Sequence, residues 1–380
     1  MRVLNVCLST NSIVGGGTGE RTSRMSLALA RAGVDCVVLE LDCGISTPTT
    51  RCTEGVEFVA LPCANRRFHI PRVTRRALRE IVTSADIIHL MGHWTPLNLA
   101  VFSLSRKSGI PHVVCPAGAL PIYGRSRHLK RIYNMIGGSA VVKLAAAGVA
   151  ITAEEVAHFL AYGVEQDNVL VIPNGIAPSQ DDPVGDRSFR RKYDLPDERF
   201  VLFIGRLNPI KGPDLLLEAF SELREAVAEH HLVFAGPDEG MQQGLMRRAQ
   251  EVGVAGEVHF IGPISGGDKA QAFRSSDLVV IPSRQEAMSI VVLEAGAQGK
   301  PVLMTEECGF PEVAAVEGGL VVPATVDGLR DGLVMLLKDS SKLAAMGRSL
   351  KKLVLEEYSW DSLVERYVEL YRSILSSESR

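Results

Sequence analysis

The stretch Phe203-Ile204-Gly205-Arg206-Leu207-Asn208-Pro209-Ile210-Lys211-Gly212 puts an Arg and a Lys just past the end of an apolar run that reads as a strand. In open α/β sheets this is where ligands bind. Arg206 offers a planar fork to phosphate oxygens and Lys211 a mobile point charge, so the pair can neutralise a diphosphate leaving group as its P–O bond gains charge. A sugar transferase needs that work done.

Pro282 to Pro301 reads as a strand end, a loop and a short helix starting near Ser289 and stopped by Gly299 and Pro301. Ser289 and Ile290 therefore stand at a helix start, whose backbone N–H groups and positive dipole end suit a phosphate. Glu286 lies in the loop and Glu294 in the helix, at different depths, an arrangement suited to hydroxyls at opposite ends of one elongated ligand. Near the amino end, Ser9 to Arg21 carries Gly15-Gly16-Gly17 after the first apolar run. Such glycines let backbone approach a phosphate closely. The spacing fails the dinucleotide fingerprint, because Thr22 stands where its third glycine belongs.

The elements that must position these residues follow a strand-helix rhythm that occurs twice. Seven apolar runs, from Val3–Leu8 to Val169–Ile172, alternate with amphipathic segments, and six more run from Phe200–Gly205 to Leu320–Val322. That pattern predicts parallel sheets covered on both faces. A length of 380 residues implies two domains. The best boundary lies at Ile172-Pro173-Asn174-Gly175-Ile176, dividing 1–172 from 173–359. The tail repeats Trp360, Leu363, Tyr367, Leu370 and Tyr371 at helical spacing and reads as a packed helix.

Composition narrows the function classes. No apolar run reaches the roughly 18 residues that cross a bilayer, and the amino end reads as a buried strand rather than a signal peptide. A cytoplasmic chain is expected. The seven cysteines are scattered and odd in number, which argues against a disulfide framework or a zinc site. Residues 1–172 hold 18 Lys+Arg against 12 Asp+Glu, and the rest hold 23 against 32. The basic half thus suits phosphates or an anionic membrane surface. Few aromatics and an acidic balance overall speak against nucleic acid.

G-R-x-x-x-x-K-G followed by E-x7-E resembles the retaining GT-B glycosyltransferases of group 1, or GT4, across essentially the whole chain. The resemblance implies an α/β fold of two Rossmann-like domains facing across a cleft, with the last helix (360–380) crossing back to the N-terminal, acceptor-binding domain. The second domain would bind a nucleotide diphosphate sugar. Arg206 and Lys211 would bind the diphosphate beside Gly205, Glu286 the transferred sugar and Glu294 the ribose, while Gly16 and Gly17 close over the phosphates. Where the family has Glu-x-Phe-Gly this chain has Glu286-Ala287-Met288-Ser289, so either the donor shifts or Ser289 adds a hydroxyl contact. Ile88-His89-Leu90-Met91-Gly92-His93-Trp94 is similar to the family's His-x-His-Gly-x-Trp loop, with Met91 at the second His position, and points to His93 near the sugar.

Cys115 to Tyr133 resembles the acceptor-side loop of members that build cell-surface polysaccharides. Arg125, Arg127, Lys130 and Arg131 would grip an acceptor pyrophosphate or anionic lipid, with Leu129, Ile132, Tyr133 and Ile136 as an apolar strip. The acceptor is then a glycan or a lipid-linked molecule, and the chain peripheral at the inner face of the membrane. No D-x-D triplet occurs, so no metal is expected. Two other enzyme classes share parts of the pattern: an NAD-dependent oxidoreductase with Glu40 or Asp42 on the ribose, and a nucleotide-sugar epimerase of the same fold. A binding protein without turnover is a third reading.

Overall fold

The computed structural model describes residues 1–11, 14–122, 126–177, 186–223 and 230–378. The chain divides into two compact units, Met1–Gly175 with Trp360–Arg380, and Ile176–Ser359.

Unit 1 is built on β1 (Arg2–Val6), β2 (Asp35–Asp42), β3 (Thr49–Thr53), β4 (Val56–Asn65), β5 (Ile70–Pro71), β6 (Ile87–Met91), β7 (His112–Cys115), β8 (Ala147–Ala150) and β9 (Val169–Val171). The sheet order is β3-β4-β2-β1-β6-β7-β8-β9, with β5 beside β4. Every pairing is parallel except those of β3 and β5 with β4. β1, β6, β7 and β8 are buried almost throughout, as strands covered on both faces must be. Helices supply the cover. The Pro96–Ser108 helix shows why these segments turn helical where they do: Thr95 caps it through Asn98 N–H, Pro96 opens it and Gly109 ends it at φ 68°.

Unit 2 repeats the plan with β10 (Arg199–Ile204), β11 (His230–Ala235), β12 (Val258–Gly262), β13 (Leu278–Ile281), β14 (Val302–Thr305) and β15 (Gly319–Val322). Its order is β12-β11-β10-β13-β14-β15, all parallel. This is the doubly wound order, whose direction of winding reverses between β10 and β13 and opens a crevice at their carboxyl ends. Val201, Leu232, Val280 and Leu303 from the strands and Leu216, Leu329 and Leu333 from the helices form its core.

All thirteen strands expected from the apolar runs are present, with ends moved by at most two residues except in β4, which runs four residues past the expected Leu61 to Asn65. The additional strands, β3 and β5, are antiparallel. Every residue of β3 is exposed, so it leaves no apolar pattern to read.

The cysteine expectation needs correction, because Cys43 and Cys63 form a disulfide. Parallel pairing of β2 with β4 sets Asp42 opposite Pro62, which brings the next residue of each strand together although 20 positions separate them. Four of the other cysteines are buried and Cys52 is exposed.

The last helix, Trp360–Glu378, belongs to unit 1. Trp360, Tyr367 and Tyr371 are fully buried there, and the Tyr371 hydroxyl meets His89 Nδ1 at 2.7 Å.

Candidate functional site

In unit 2 the loops after β10 and β13 meet at the reversal point. Arg284 N–H donates to the Ile210 carbonyl (2.7 Å), and the Arg284 guanidinium grips both carboxylate oxygens of Asp214 (2.9 and 2.6 Å), fastening the second loop to the first. Gly212 permits that approach, and Gly236, after β11, brings a third loop against the first. Gly212 lies at φ 66°, and a Cβ there would fall 2.0 Å from the Pro282 carbonyl oxygen; one on Gly236, at φ 145°, would fall 1.9 Å from that of Gly205.

This scaffold brings Lys211 and Glu286 together, Nζ to Oε1 at 2.8 Å, with both side chains mostly buried. Ser283 Oγ donates to the same Glu286 oxygen at 2.5 Å. Arg206, half exposed, pairs with Glu239 at 2.9 Å, and Asn208 Nδ2 donates to the other Glu239 oxygen at 2.7 Å. The Asn208 hydrogen bond, with Arg206 beside it, holds the Glu239 carboxyl below the usual range. Glu294 lies one helix further in, its Oε1 2.5 Å from Lys269 Nζ.

The Ile290–Ala297 helix has Ser289 as its N-cap residue, no acidic residue in its first turn and no side-chain cap. Ser289 Oγ is wholly buried and has no partner among the described residues. A buried hydroxyl with no partner is uncommon, and it stands at this helix start. Beneath the loop, Gly309 at φ 61° leaves room for the Ala287 carbonyl, and burial, with Glu286 close by, pushes the Cys308 thiol up to about 11. Cys308 is a small packed residue, its Sγ 3.3 Å from Thr305 Oγ1.

Sequence reading missed Glu239, Lys269 and Ser283. The first two lie on elements far away in the chain, and only Ser283, three residues before Glu286, carried a local signal.

In unit 1 the strand order also reverses, between β1 and β6. Gly15, at the N-cap, precedes the Gly16–Arg31 helix, so Gly16 and Gly17 form its first turn. The tight contacts belong to Gly15 and Gly19, where a Cβ would meet the Ser9 carbonyl oxygen at 1.7 and 2.2 Å. Ser12 and Ile13 lie outside the described residues. Glu40 does not await a ribose: its carboxylate accepts the Thr10 N–H (2.5 Å) and hydroxyl (2.7 Å) and holds the loop leaving β1. The NAD-dependent reading thereby loses the first of its two acids; the other, Asp42, accepts the Gly44 N–H at 2.7 Å.

His93 follows β6 and is 1% exposed. Rings of Trp94, Tyr133 and Tyr162 enclose it at 4.4, 5.3 and 5.7 Å. Burial lowers it to about 4, so it is neutral at pH 7. Its Nε2 meets Asn134 Oδ1 at 3.1 Å, and Nδ1 is buried without a partner among the described residues. Met91 is buried in β6 and cannot stand in for an open histidine.

Arg125 lies outside the described residues. Arg127 begins the Arg127–Tyr133 helix and is exposed, while Lys130 Nζ sits 5.2 Å from the Trp94 ring. Leu129, Ile132 and Ile136 of the expected apolar strip are 53, 47 and 68% exposed, and Met135, not among the expected residues, is 79% exposed. Tyr133 departs from it: its hydroxyl turns inward and donates to the His93 carbonyl at 2.5 Å. The preceding loop is held by buried Glu155, which accepts the N–H groups of Gly118 (2.6 Å) and Ile151 (2.8 Å). Sequence reading gave no sign of that carboxylate.

Two parallel doubly wound units, with the last helix packed on the first, define the GT-B class of α/β fold. Similarity to solved structures agrees. Sucrose-phosphate synthase from Thermosynechococcus elongatus aligns at TM-score 0.80 with 18% identity, over 99% of this chain and 100% of that one. Anabaena HepE in complex with UDP and glucose aligns at 0.76 with 17% identity, over 98% and 100%.

The family model for glycosyl transferases group 1 matches residues 186–353, and the glycosyl transferase 4-like domain matches 16–175. The chain belongs to the group 1 glycosyltransferase family. Among curated relatives it is 32% identical to the D-inositol 3-phosphate glycosyltransferase of Stackebrandtia nassauensis over 285 residues, 71% of this chain and 60% of that protein. It spans 56 to 60% of the length of the first curated relatives it matches.

Proposed function

We propose that the protein transfers a sugar from a nucleotide diphosphate sugar to a glycan or lipid-linked acceptor, with retention at the anomeric carbon. The observation that carries this reading is the Lys211–Glu286 pair, joined at 2.8 Å across the reversal point of unit 2 beside the start of the Ile290–Ala297 helix. Arg206 and Lys211 bind the diphosphate next to the Gly205 backbone. The N–H groups at Ser289 and Ile290 complete the anion site. Glu286 accepts hydroxyls of the transferred sugar, and Glu294 holds the ribose. In unit 1, Gly16 and Gly17 offer helix-start N–H groups to a phosphate, and His93, buried under the rings of Trp94, Tyr133 and Tyr162, shapes the loop after β6 rather than touching the sugar.

The acceptor hydroxyl attacks the anomeric carbon from the face that the diphosphate leaves. The new C–O bond forms as the old one breaks, and the hydroxyl proton passes to the departing phosphate. Cations and a helix end stabilise the leaving charge without reorganising. With two cations in place the reaction needs no metal, and a chelator leaves its rate unchanged.

The apolar strip from Leu129 to Ile136, flanked by Arg127 and Lys130, supports a lipid-linked acceptor and peripheral contact with the inner face of a membrane. The pathway is assembly of cell-surface polysaccharide or glycoconjugate.

The test is product formation with a panel of nucleotide diphosphate sugars, UDP-glucose first, read by NMR of the new anomeric centre. Lys211→Ala is expected to lower kcat by roughly 10²–10³, about 3–4 kcal/mol of transition-state stabilisation, with acceptor KM little changed. Unchanged turnover in that variant, or an inverted product, overturns the assignment.

A further inference from the structure

β4 continues into a hairpin with β5, and the Cys43–Cys63 bond fastens its end to the segment after β2. The turn is Arg66-Arg67-Phe68-His69. Phe68 N–H donates to Asn65 Oδ1 at 3.0 Å, and the Arg67 guanidinium lies 5.5 Å from the Phe68 ring. Phe68 is 48% and Ile70 42% exposed. The Arg75–Thr83 helix follows at once, capped by Thr74, with arginines and no acidic residue in its first turn.

Between positions 65 and 80 the chain carries six arginines, every one exposed, and a single acid, Glu80. Among the described residues only Arg76 of the six has a carboxylate partner, Glu80 at 3.0 Å. Five arginines of unit 2 differ from these: Arg199, Arg206, Arg248, Arg284 and Arg330 each meet an Asp or Glu. Arg75 and Arg76 also sit at the positive end of a helix dipole, where cations are disfavoured. Folding alone gives no reason to gather unpaired cations around two exposed apolar side chains.

We infer that this hairpin and the helix start beside it dock on an anionic lipid bilayer, the arginines against headgroup phosphates and Phe68 and Ile70 in the interfacial layer. Basic side chains around apolar ones are the pattern that binds such a surface. A flat bilayer meets a tip of this kind without needing a complementary groove. The net charge of the chain is -3, so the positive charge is local. The inference extends the membrane contact proposed for the Leu129–Ile136 strip, and rests on that reading for the presence of a membrane but on separate residues for the contact.

The experiment is co-sedimentation of the full chain with vesicles of phosphatidylcholine alone or mixed with phosphatidylglycerol, at low salt and on the order of 0.5 M salt, where screening shortens the field to a few ångströms. Three proteins are compared: wild type, Arg66→Ser/Arg67→Ser/Phe68→Ser, and Met135→Ser/Ile136→Ser. Arg72→Ser/Arg75→Ser replaces the hairpin variant if its melting curve shows misfolding. Wild type is expected on the mixed vesicles only and to leave them at high salt, with at least about a tenfold loss of affinity in the hairpin variant. A hairpin variant that binds like wild type while the strip variant does not overturns the hairpin and leaves the strip. Loss in the hairpin variant alone supports the hairpin and removes the strip. Equal binding to both vesicle types, or to neither, overturns the inference.

Discussion

At the residue scale, one carboxylate organises the candidate donor site. Glu286 Oε1 accepts from both Ser283 and Lys211, so its position depends on a neighbouring hydroxyl. Ser283→Ala is expected to lower kcat/KM for the sugar donor by about tenfold, the worth of one hydrogen bond to a charged group, while binding of the nucleotide diphosphate by calorimetry stays near wild type. Two buried histidines govern a different property. His89 is lowered to about 3 and His93 to about 4, both chiefly by burial. The unfolded chain therefore binds protons that the folded chain refuses between pH 6.5 and 4. The stability these neutral rings represent is fully present above pH 6.5 and is lost as the pH falls through that window, by up to about 1.4 kcal/mol per pH unit for each ring. Urea unfolding at stepped pH checks this, and His89→Gln is expected to flatten the slope.

At the element scale, glycines decide how closely strand ends approach. Gly236→Ala drives a Cβ into the Gly205 carbonyl, whereas Gly240, at φ 99°, has open space around it. Gly236→Ala is expected to cost on the order of 3 kcal/mol and Gly240→Ala about 1 kcal/mol, the latter from backbone strain alone; chemical denaturation separates them. Local pattern made most elements legible. Parallel strands buried on both faces leave continuous apolar runs, and Ser289, Gly299 and Pro301 mark a helix start and stop. β3 was illegible because an exposed edge strand needs no apolar residue, and β5 because two residues make no periodic pattern. The Cys43–Cys63 bond was illegible because it depends on strand register, which scattered spacing does not encode.

At the scale of the whole molecule, Arg21 ties together the two places where the chain leaves and re-enters unit 1. It is 2% exposed and donates to the carbonyls of Ile172 and Pro173 (both 2.9 Å), to Asn174 Oδ1 at 2.6 Å and to the Tyr367 hydroxyl, with its guanidinium 5.8 Å from the Trp360 ring. Gly175 lies flat on that ring, a Cβ there falling 2.6 Å from it. Arg21→Met strands several buried acceptors and is expected to cost about 3–5 kcal/mol, seen as a lower Tm of unit 1 and faster proteolysis after residue 175. Removing residues 360–380 exposes the surfaces that Trp360, Tyr367 and Tyr371 cover, and is expected to leave unit 1 unable to fold.

The sequence by itself determined the class: twice-repeated strand-helix alternation, the Arg206–Lys211 and Glu286–Glu294 spacings, and an amphipathic tail. These are properties of neighbours along the chain, where periodicity and short-range spacing express backbone geometry directly. Only the tertiary structure decided which polar groups meet. Glu239 reaches Arg206, Lys269 reaches Glu294 and Glu155 reaches Gly118 because sheet order and register bring distant loops together. The same packing closes aromatic rings over His93 and turns Tyr133 inward, since burial is set by what the fold places beside a residue.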